Sequence, residues 1–301
     1  MIAYFIGHIV MDTVEWKGKI KENIGGTVVY GALVASKLGV KPYIVSKVGK
    51  DFPTEYLDFL KNNGVLIDNI KFIEGKPTTR FKLIYDRQGN RKLKLISKCE
   101  DINLEDIPCD KNSIYILGPV IGEVPIKAFD LLRDTSSYIA SDIQGFIRKN
   151  SEKGIYLEPS DSALRVIRYS SVVHLEYEEA KVITREQKIE RILQKILEIE
   201  HKVILLTMGE KGAYIINENE VYFVPAIKPE KVVDLTGTGD VFTTTFAIEY
   251  FKQGKVIEAA ALSAAAASYL VEEPGISGIR EKEHLFKRAI GILDKIKKIY
   301  I

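Results

Sequence analysis

Residues 233–242, VDLTGTGDVF, have the residue types that phosphoryl transfer requires. Gly237 and Gly239 let the backbone turn tightly and approach a ligand closely. A helical pattern follows, so the unpaired N–H groups at that helix start would face phosphate oxygens at the positive end of the helix dipole. Asp240 falls at the same helix start, where its carboxylate can take the proton of an attacking hydroxyl. The stretch therefore predicts Asp240 as the catalytic base, with Gly237, Thr238 and Gly239 forming an anion hole.

A purely structural alternative for this stretch is an ordinary Gly-rich turn with an Asp at the helix N-cap. A bare Gly-x-Gly-Asp would favour that alternative. Asp234 and Thr236 ahead of the glycines and Phe242 behind them favour the chemical interpretation.

The whole stretch resembles the DTxGAGDxF signature of the ribokinase-like (PfkB) sugar kinases, with Thr238 in place of the usual Ala. Other family landmarks follow in family order at residues 7–12, 25–39, 48–51, 176–180 and 207–213. The resemblance thus covers essentially the whole chain. It implies an α/β fold, a ribokinase-like three-layer sandwich with a mostly parallel central sheet and a small β flap, or lid.

The resemblance also implies which residues meet the two substrates. On the acceptor side it implies Gly25, Gly26, Tyr30 and Asp12, with Asp12 at the carboxyl end of the first strand of the sheet. On the donor side it implies Glu179, Thr207, Gly209, Gly212 and Thr236, together with Ser268 and Gly275 near the adenine. The implied cofactors are ATP and Mg²⁺, and a monovalent cation stays open. Glu179 would reach the metal through water, because a hard cation with phosphate and water ligands needs few protein carboxylates.

A narrower resemblance concerns the acceptor. Tyr30 stands where many sugar kinases of the family have Asn. In this respect the chain resembles the myo-inositol kinase branch. The stretches that share this similarity are residues 90–95, 122–124 and 142–148. A ring with six hydroxyls needs several polar partners and an apolar or aromatic wall, which Asp12, Tyr30, Gln144 and Arg148 could supply. The alternatives are another sugar or polyol, a nucleoside whose base stacks on the aromatic ring, and a nucleotide-binding module without turnover.

The elements that must position these residues alternate between strand and helix patterns, which is typical of a parallel sheet with helical crossovers. Apolar runs at 2–6, 113–117, 138–142, 172–175 and 203–207 predict strands. Helical patterns at 180–200 and 284–300 predict two long helices. Residues 78–97 instead predict a hairpin with a turn at 87–90. The simplest organisation is one domain over residues 1–301, with a flap formed mainly by residues 13–24 and 78–97.

Composition limits the class of protein. The chain has 301 residues, 46% hydrophobic and 28% charged, which is ordinary for a globular protein. A net charge of +2 gives no reason to expect a nucleic-acid or membrane partner. The chain has two cysteines without a metal-binding spacing, which fits a reducing compartment. Its apolar start lacks the basic segment of a signal peptide. Both features predict a cytoplasmic protein. The partners expected are a small polyol or sugar and, through the flap, a second copy of the chain.

Overall fold

The computed structural model describes residues 1–16, 19–85, 91–135, 138–199 and 201–301. The strands are β1 Ile2–Ile6, β2 Val10–Trp16, β3 Lys19–Gly25, β4 Lys41–Gly49, β5 Ile70–Ile73, β6 Thr79–Tyr85, β7 Arg91–Ser97, β8 Ile114–Leu117, β9 Tyr138–Asp142, β10 Arg148–Ser151, β11 Gly154–Leu157, β12 Val172–Glu176, β13 Val203–Thr207, β14 Ala213–Asn217, β15 Glu220–Val224 and β16 Lys297–Ile299. The helices are α1 Thr27–Lys37, α2 Glu55–Asn62, α3 Lys127–Arg133, α4 Gln144–Ile147, α5 Asp161–Tyr169, α6 Tyr177–Thr184, α7 Ile189–Leu197, α8 Thr238–Gln253, α9 Val256–Leu270 and α10 Lys282–Ala289. Within the described ranges, none of the helices is long and apolar enough to cross a bilayer.

The central sheet has the strand order β16-β15-β14-β13-β12-β9-β8-β1-β4-β5. Neighbours from β13 to β5 pair in parallel, whereas β14, β15 and β16 are added antiparallel. Both faces of β1 are buried: Ala3 and Phe5 pack in one core with α1, α8 and α9, and Tyr4 and Ile6 pack in a second core with α3, α5 and α7. Such continuous apolar strands are what a sheet covered on both faces requires. The predicted three-layer, mostly parallel α/β fold is confirmed.

The topology creates a crevice at the carboxyl ends of the parallel strands. From β1 the sheet extends to β4 on one side and to β8 on the other. Ligands bind at such switch points in open α/β sheets. The carboxyl ends of β9, β12 and β13 lie side by side at this edge and bring Asp142, Glu176 and Thr207 to it.

A separate four-stranded sheet, which we call the lid sheet, has the order β3-β2-β6-β7. It contains the described parts of the predicted flap segments 13–24 and 78–97, while the predicted turn at 87–90 lies outside the described residues. Its apolar face includes Phe81 and Leu83, which pack with Val10 and Val120. Asp12 is the third residue of β2, so it belongs to the lid sheet and not, as the sequence suggested, to the end of a central strand.

Three elements differ from the sequence predictions. The predicted helix 180–200 is two helices, because the chain leaves α6 at Arg185 with a left-handed φ of 59°; residue 200 lies outside the described residues. The predicted helix 284–300 ends at Ala289, continues as a 3₁₀ turn over Ile290–Lys295 and finishes as β16, which pairs with β15. The hairpin β10–β11 was not predicted, since its polar strand RKNS lacks an apolar face.

Candidate active site

A cavity of about 150 Å³ lies between the lid sheet and the carboxyl edge of the central sheet. One side of it is polar and is formed by Asp142, Gln144, Arg148 and Asp240 from the central sheet edge and its helices. The opposite side is apolar and comes largely from the lid, through residues Val10, Phe81, Leu83 and Leu93, with Val120 beside them. The space is therefore amphipathic, with carboxylates and a guanidinium facing hydrocarbon.

Residues 235–240, which we call the anion loop, form the floor of this cavity at the start of α8. Gly237 is the N-cap of α8 and has φ 77°, a conformation that glycine adopts without a steric cost. The Thr238 hydroxyl donates to the Leu235 carbonyl oxygen at 2.7 Å. The first N–H groups of a helix lack intrahelical partners, so the start of α8 offers donors at the cavity floor.

Asp234 fixes this loop from outside the cavity. Its Oδ1 accepts the Thr236 N–H at 2.9 Å, and its Oδ2 accepts the Gly275 N–H at 3.0 Å. Glu272 holds an earlier part of the same segment, because its Oε1 accepts the Glu230 N–H at 2.8 Å. The segment that leads into the anion loop is therefore attached to the turn that follows α9.

Tyr30 lies under the anion loop. Its side chain is 2% exposed, and a Cβ built on Gly237 would fall 2.4 Å from the Tyr30 ring carbons Cδ1 and Cε1. Burial, with smaller contributions from Asp234, Asp240 and Asp12, raises the pKa of the Tyr30 phenol. The ring is thus a neutral support for Gly237.

Asp240 is on the first turn of α8 and lines the cavity. Burial and the nearby negative charge of Asp142 raise the pKa of its carboxyl to about 7. A hydrogen bond with Thr27 and the positive charges of His174 and Arg148 act in the opposite direction. A carboxyl with a pKa near neutrality is well matched to accepting a proton at physiological pH.

A hydrogen-bonded chain that the sequence did not predict connects the strand ends beside Asp240. His174 Nδ1 lies 2.7 Å from Asp142 Oδ2, and His174 Nε2 lies 2.9 Å from Thr207 Oγ1. Asp142 Oδ1 accepts the Gln144 N–H at 2.8 Å, and Gln144 Nε2 donates to Thr27 Oγ1 at 3.1 Å. A lone polar residue among the apolar residues of VVHLE was the signal that could have identified His174.

Glu179 is buried at the start of α6, 3% exposed, and lines the cavity. Its Oε2 accepts the Glu176 N–H at 2.9 Å. Burial and the charge of Asp142 raise the pKa of its carboxyl to about 8. Among the described residues there is no cluster of three or more metal-ligating side chains. One carboxylate in a negatively charged setting suits a Mg²⁺ that is held mainly by phosphates and water.

The acceptor-side residues predicted from the sequence gather around the cavity. Asp12, Gly26, Tyr30, Gln144 and Arg148 all line it. Gly25 does not, but a Cβ there would fall 2.6 Å from Asp12 Oδ2, so the Asp12 carboxylate lies against the Gly25 backbone.

Only some of the donor-side residues predicted from the sequence line the cavity. Glu179 and Thr236 line the cavity, whereas Thr207, Gly209, Gly212, Ser268 and Gly275 lie outside it. The Thr207 hydroxyl is bonded to His174. A Cβ at Gly212 would fall 2.3 Å from the Val224 carbonyl oxygen, so this glycine allows a close approach of two chain segments.

Ser268 has a structural contact of its own. It is 5% exposed and accepts a hydrogen bond from Arg288 at 2.9 Å. The same guanidinium pairs with Glu272 and lies 3.3 Å above the centre of the Tyr269 ring.

Comparison with known proteins identifies the family. Residues 6–282 match the pfkB family of carbohydrate kinases. The chain belongs to this family. The sequence-based assignment to the ribokinase-like kinases is therefore confirmed, and so is the ribokinase-like fold.

Individual relatives are distant but nearly full-length. Cytidine kinase of Thermococcus kodakarensis is 26% identical over 261 residues, which cover 84% of this chain and 89% of that protein. Inositol 3-kinase of Arabidopsis thaliana is 25% identical over 280 residues, covering 90% of this chain and 74% of that protein. The structure of a pyrophosphate-dependent kinase of the ribokinase family, complexed with a pyrophosphate analogue and myo-inositol, aligns with a TM-score of 0.82 at 25% identity, over 95% of this chain and 100% of that one.

Proposed function

We propose that this kinase transfers the γ-phosphoryl group of ATP to one hydroxyl of a small polyhydroxylated ring, with myo-inositol as the preferred acceptor. The supporting observation is the position of Asp240, which lies at the start of α8 beside the anion loop and faces the amphipathic cavity. A base, an anion-binding helix start and an acceptor space beside them are the parts that phosphoryl transfer to an alcohol needs.

In the proposed reaction Asp240 accepts the proton of the acceptor hydroxyl as its oxygen attacks the γ-phosphorus. The new oxygen–phosphorus bond forms while the bond between that phosphorus and the bridging oxygen breaks, and ADP leaves with the electron pair. The N–H groups of the anion loop donate to the oxygens of the transferred phosphoryl group, where charge is distributed in the transition state. The proton on Asp240 is then released to solvent.

Bound Mg²⁺ would supply charge neutralisation on the donor phosphates. Glu179 is the residue of this chain that would hold it, through water. Arg148 lies beside the same carboxylates and lowers the proton affinity of both Glu179 and Asp240. Its positive charge favours the ionised form of both carboxyl groups.

The size and polarity of the cavity favour one ring as the acceptor. A space of about 150 Å³ is known to accommodate a single benzene-sized molecule. The faces of a cyclic polyol carry C–H groups and its edge carries hydroxyls, so one ring can meet both Leu83 and Asp240. The inositol-related relatives support myo-inositol over open-chain polyols.

A nucleoside acceptor, suggested by the cytidine kinase relative, is the alternative. The sequence allowed Tyr30 to stack on a base. In the structure the Tyr30 ring is buried and packs against Gly237, so the ring face on that side is occupied.

The test is the rate of ADP release with Mg-ATP and a panel of myo-inositol, ribose, fructose, fructose 6-phosphate, glycerate, adenosine and cytidine. We expect the highest kcat/KM with myo-inositol. Asp240→Asn should lower kcat by roughly 10²- to 10⁴-fold, the usual contribution of a general base. Asp68→Asn, at an exposed position on the protein, is the matched control and should keep full activity. A faster rate with cytidine would reject the inositol proposal, and ATP binding without any turnover would leave only a binding module.

The phosphoryl donor has a second candidate, pyrophosphate, because the residues predicted near adenine lie outside the cavity and Ser268 is bonded to Arg288. ATP is supported by Val232, Val233 and Leu235, which precede or begin the anion loop and are 64%, 50% and 65% exposed. Such a surface can contact the nucleoside of ATP, whereas pyrophosphate has no apolar group that could pack on it.

Donor choice can be tested by measuring inositol phosphate formation with ATP and with pyrophosphate. If ATP is the donor, Val232→Ser should raise the KM for ATP, because the exposed apolar contact is lost. Ile290→Ser, which removes a side chain 66% exposed at the start of the 3₁₀ turn that follows α10, is the control. Phosphorylation with pyrophosphate alone would reject the ATP assignment while retaining the acceptor.

Dimerisation through the lid is also proposed. Ile96, near the end of β7 where the ladder with β6 is irregular, is 57% exposed. Sedimentation of the wild-type protein and of Ile96→Asp should give a dimer and a monomer respectively. Two identical profiles would reject this interface.

A further inference from the structure

His174 is a buried polar side chain that no motif of the sequence identified. It is 2% exposed and lies on β12 between β9 and β13. In the strand register His174 is opposite Asp142 on β9. Its side chain is on the same sheet face as Val172, which packs in the core that contains α8. It is therefore directed to the helix that carries Asp240.

The imidazole contacts three parts of the site. Nδ1 is 2.7 Å from Asp142 Oδ2, and Nε2 is 2.9 Å from Thr207 Oγ1. The carbon between these two nitrogens faces the anion loop, because a Cβ built on Gly239 would fall 2.8 Å from His174 Cε1. One ring thus connects the ends of two strands and supports the loop from beneath.

The surroundings of the ring are mostly acidic. Asp142 approaches from β9, Glu176 is on the same strand, Glu179 comes from α6 and Asp240 from α8. Burial by itself lowers the pKa of His174, but these carboxylates, Asp142 first, raise it to about 9. With both nitrogens protonated, one donates to Asp142 and the other to the Thr207 hydroxyl. Arg148 is the other cation that acts on Asp240.

We propose that His174 is a positioning residue of phosphoryl transfer, a permanently charged imidazolium that neutralises Asp142, supports Gly239 and keeps the neighbouring Asp240 ready to accept a proton. This role rests on the proposed function of Asp240 as the base. Without the imidazolium, the charge of Asp142 would act on Asp240 unopposed, and the base would stay protonated to higher pH.

The first test is the pH dependence of kcat/KM in His174→Gln, a variant that keeps a hydrogen-bonding amide and loses the charge. Because an opposite charge within about 4–6 Å shifts a carboxyl by about one pH unit or more, we expect the acid limb of the profile to move upward by at least that amount. A shift of one pH unit from about 7 lowers the ionised fraction of Asp240 at pH 7 about fivefold, so activity should fall by at least that factor there and recover toward the wild-type value at higher pH. His284→Gln, at an exposed histidine of α10, is the matched control and should leave the profile unchanged.

A purely structural role predicts a different result, namely an equal loss of activity at every pH with no movement of the acid limb. That outcome would overturn the proposal. If His174→Gln does not fold, NMR of ¹⁵N-histidine-labelled wild-type protein decides the charge directly. We expect one buried imidazole with both nitrogens protonated from pH 6 to pH 8, and a neutral ring at pH 7 would overturn the proposal. If the wild type transfers phosphate to no acceptor, the proposed function fails, while the NMR result still decides the charge of His174.

Discussion

The ring of Tyr30 lies so close to Gly237 that a single added methyl carbon at residue 237 would fall 2.4 Å from two of its ring atoms. An aromatic side chain on α1 therefore sets the height of the anion loop at the start of α8. Tyr30 therefore packs under the anion loop while it also lines the cavity. This relationship can be tested at the glycine.

Gly237→Ala should lower kcat by at least tenfold, because the new Cβ either displaces Tyr30 or moves the loop that holds the phosphoryl oxygens. The control is Gly254→Ala at the other end of α8, where φ is 68° and nothing lies within 4 Å of the added carbon. Both variants have the backbone cost of a left-handed alanine, about 1 kcal/mol, so their melting temperatures show that common cost. Equal kinetics for the two variants would contradict the importance of the Tyr30 contact.

The pH dependence of the reaction should follow Asp240. Burial and Asp142 raise the pKa of its carboxyl to about 7, so the base is increasingly protonated, and inactive, as the pH falls below that value. We expect kcat/KM for the acceptor to fall with a slope of one on the acid side of pH 7 in the wild-type enzyme. An acid limb centred near pH 4, where an ordinary aspartate titrates, would contradict this environment for Asp240.

Glu179→Gln should stabilise the metal-free protein while it lowers activity. The pKa of Glu179 is raised to about 8 in the folded state from an ordinary value of 4.5, so between these pH values the folded protein binds a proton that the unfolded chain does not. The wild type therefore loses stability as the pH rises from about 5 to 8, whereas the neutral amide does not. Thermal unfolding in EDTA should give a difference in Tm that grows over this range.

The control for this measurement is Glu178→Gln, on the same first turn of α6 but with a side chain 67% exposed. Its pairing with Lys181 is at the surface and contributes little to stability. A Tm difference for Glu179→Gln that is the same at pH 5 and pH 8 would show that the buried carboxylate is not the cause.

Leu93→Ser should weaken acceptor binding. Leu93 lines the apolar side of the cavity opposite Leu83 in the β6–β7 register, and losing such a contact raises KM for the ring by about tenfold. The KM for the phosphoryl donor should not change. Ile96→Ser, at an exposed position of the same strand, is the control for kinetics. An unchanged acceptor KM in Leu93→Ser would show that this part of the lid does not contribute to acceptor binding.

Much of this architecture follows from local sequence. The alternation of apolar strands with helical patterns predicted a parallel sheet with helical crossovers, and the VDLTGTGDVF stretch predicted the start of α8 with Asp240 on its first turn. Both are local features, because the spacing of apolar residues and the glycines of a turn can be recognised within a short stretch of sequence. The end of the chain was predicted wrongly because the short strand β16 exists only through its pairing with β15.

The residues that sequence reasoning missed depend on non-local register. His174 matters because β12 pairs with β9 so that it lies opposite Asp142, and no local pattern specifies that partner. Asp12 was expected at the end of a central strand, but β1 ends at Ile6 and Asp12 lies within β2 of the lid. Where Ser268 was expected near adenine, its hydroxyl is bonded to Arg288, a residue two elements further on.

The position of Asp12 has a consequence for how a bound acceptor acts on the lid sheet and the central sheet. One acidic residue of the cavity is attached to the lid sheet and the proposed base is attached to the central body, so a ring that hydrogen-bonds to both becomes a physical link between two separate sheets. Such a molecule would contribute to the rigidity of the protein itself. A deoxygenated analogue that reaches only one of the two carboxylates would occupy the cavity without joining the two sheets, so we expect it to differ from a full acceptor in catalytic rate more than in affinity.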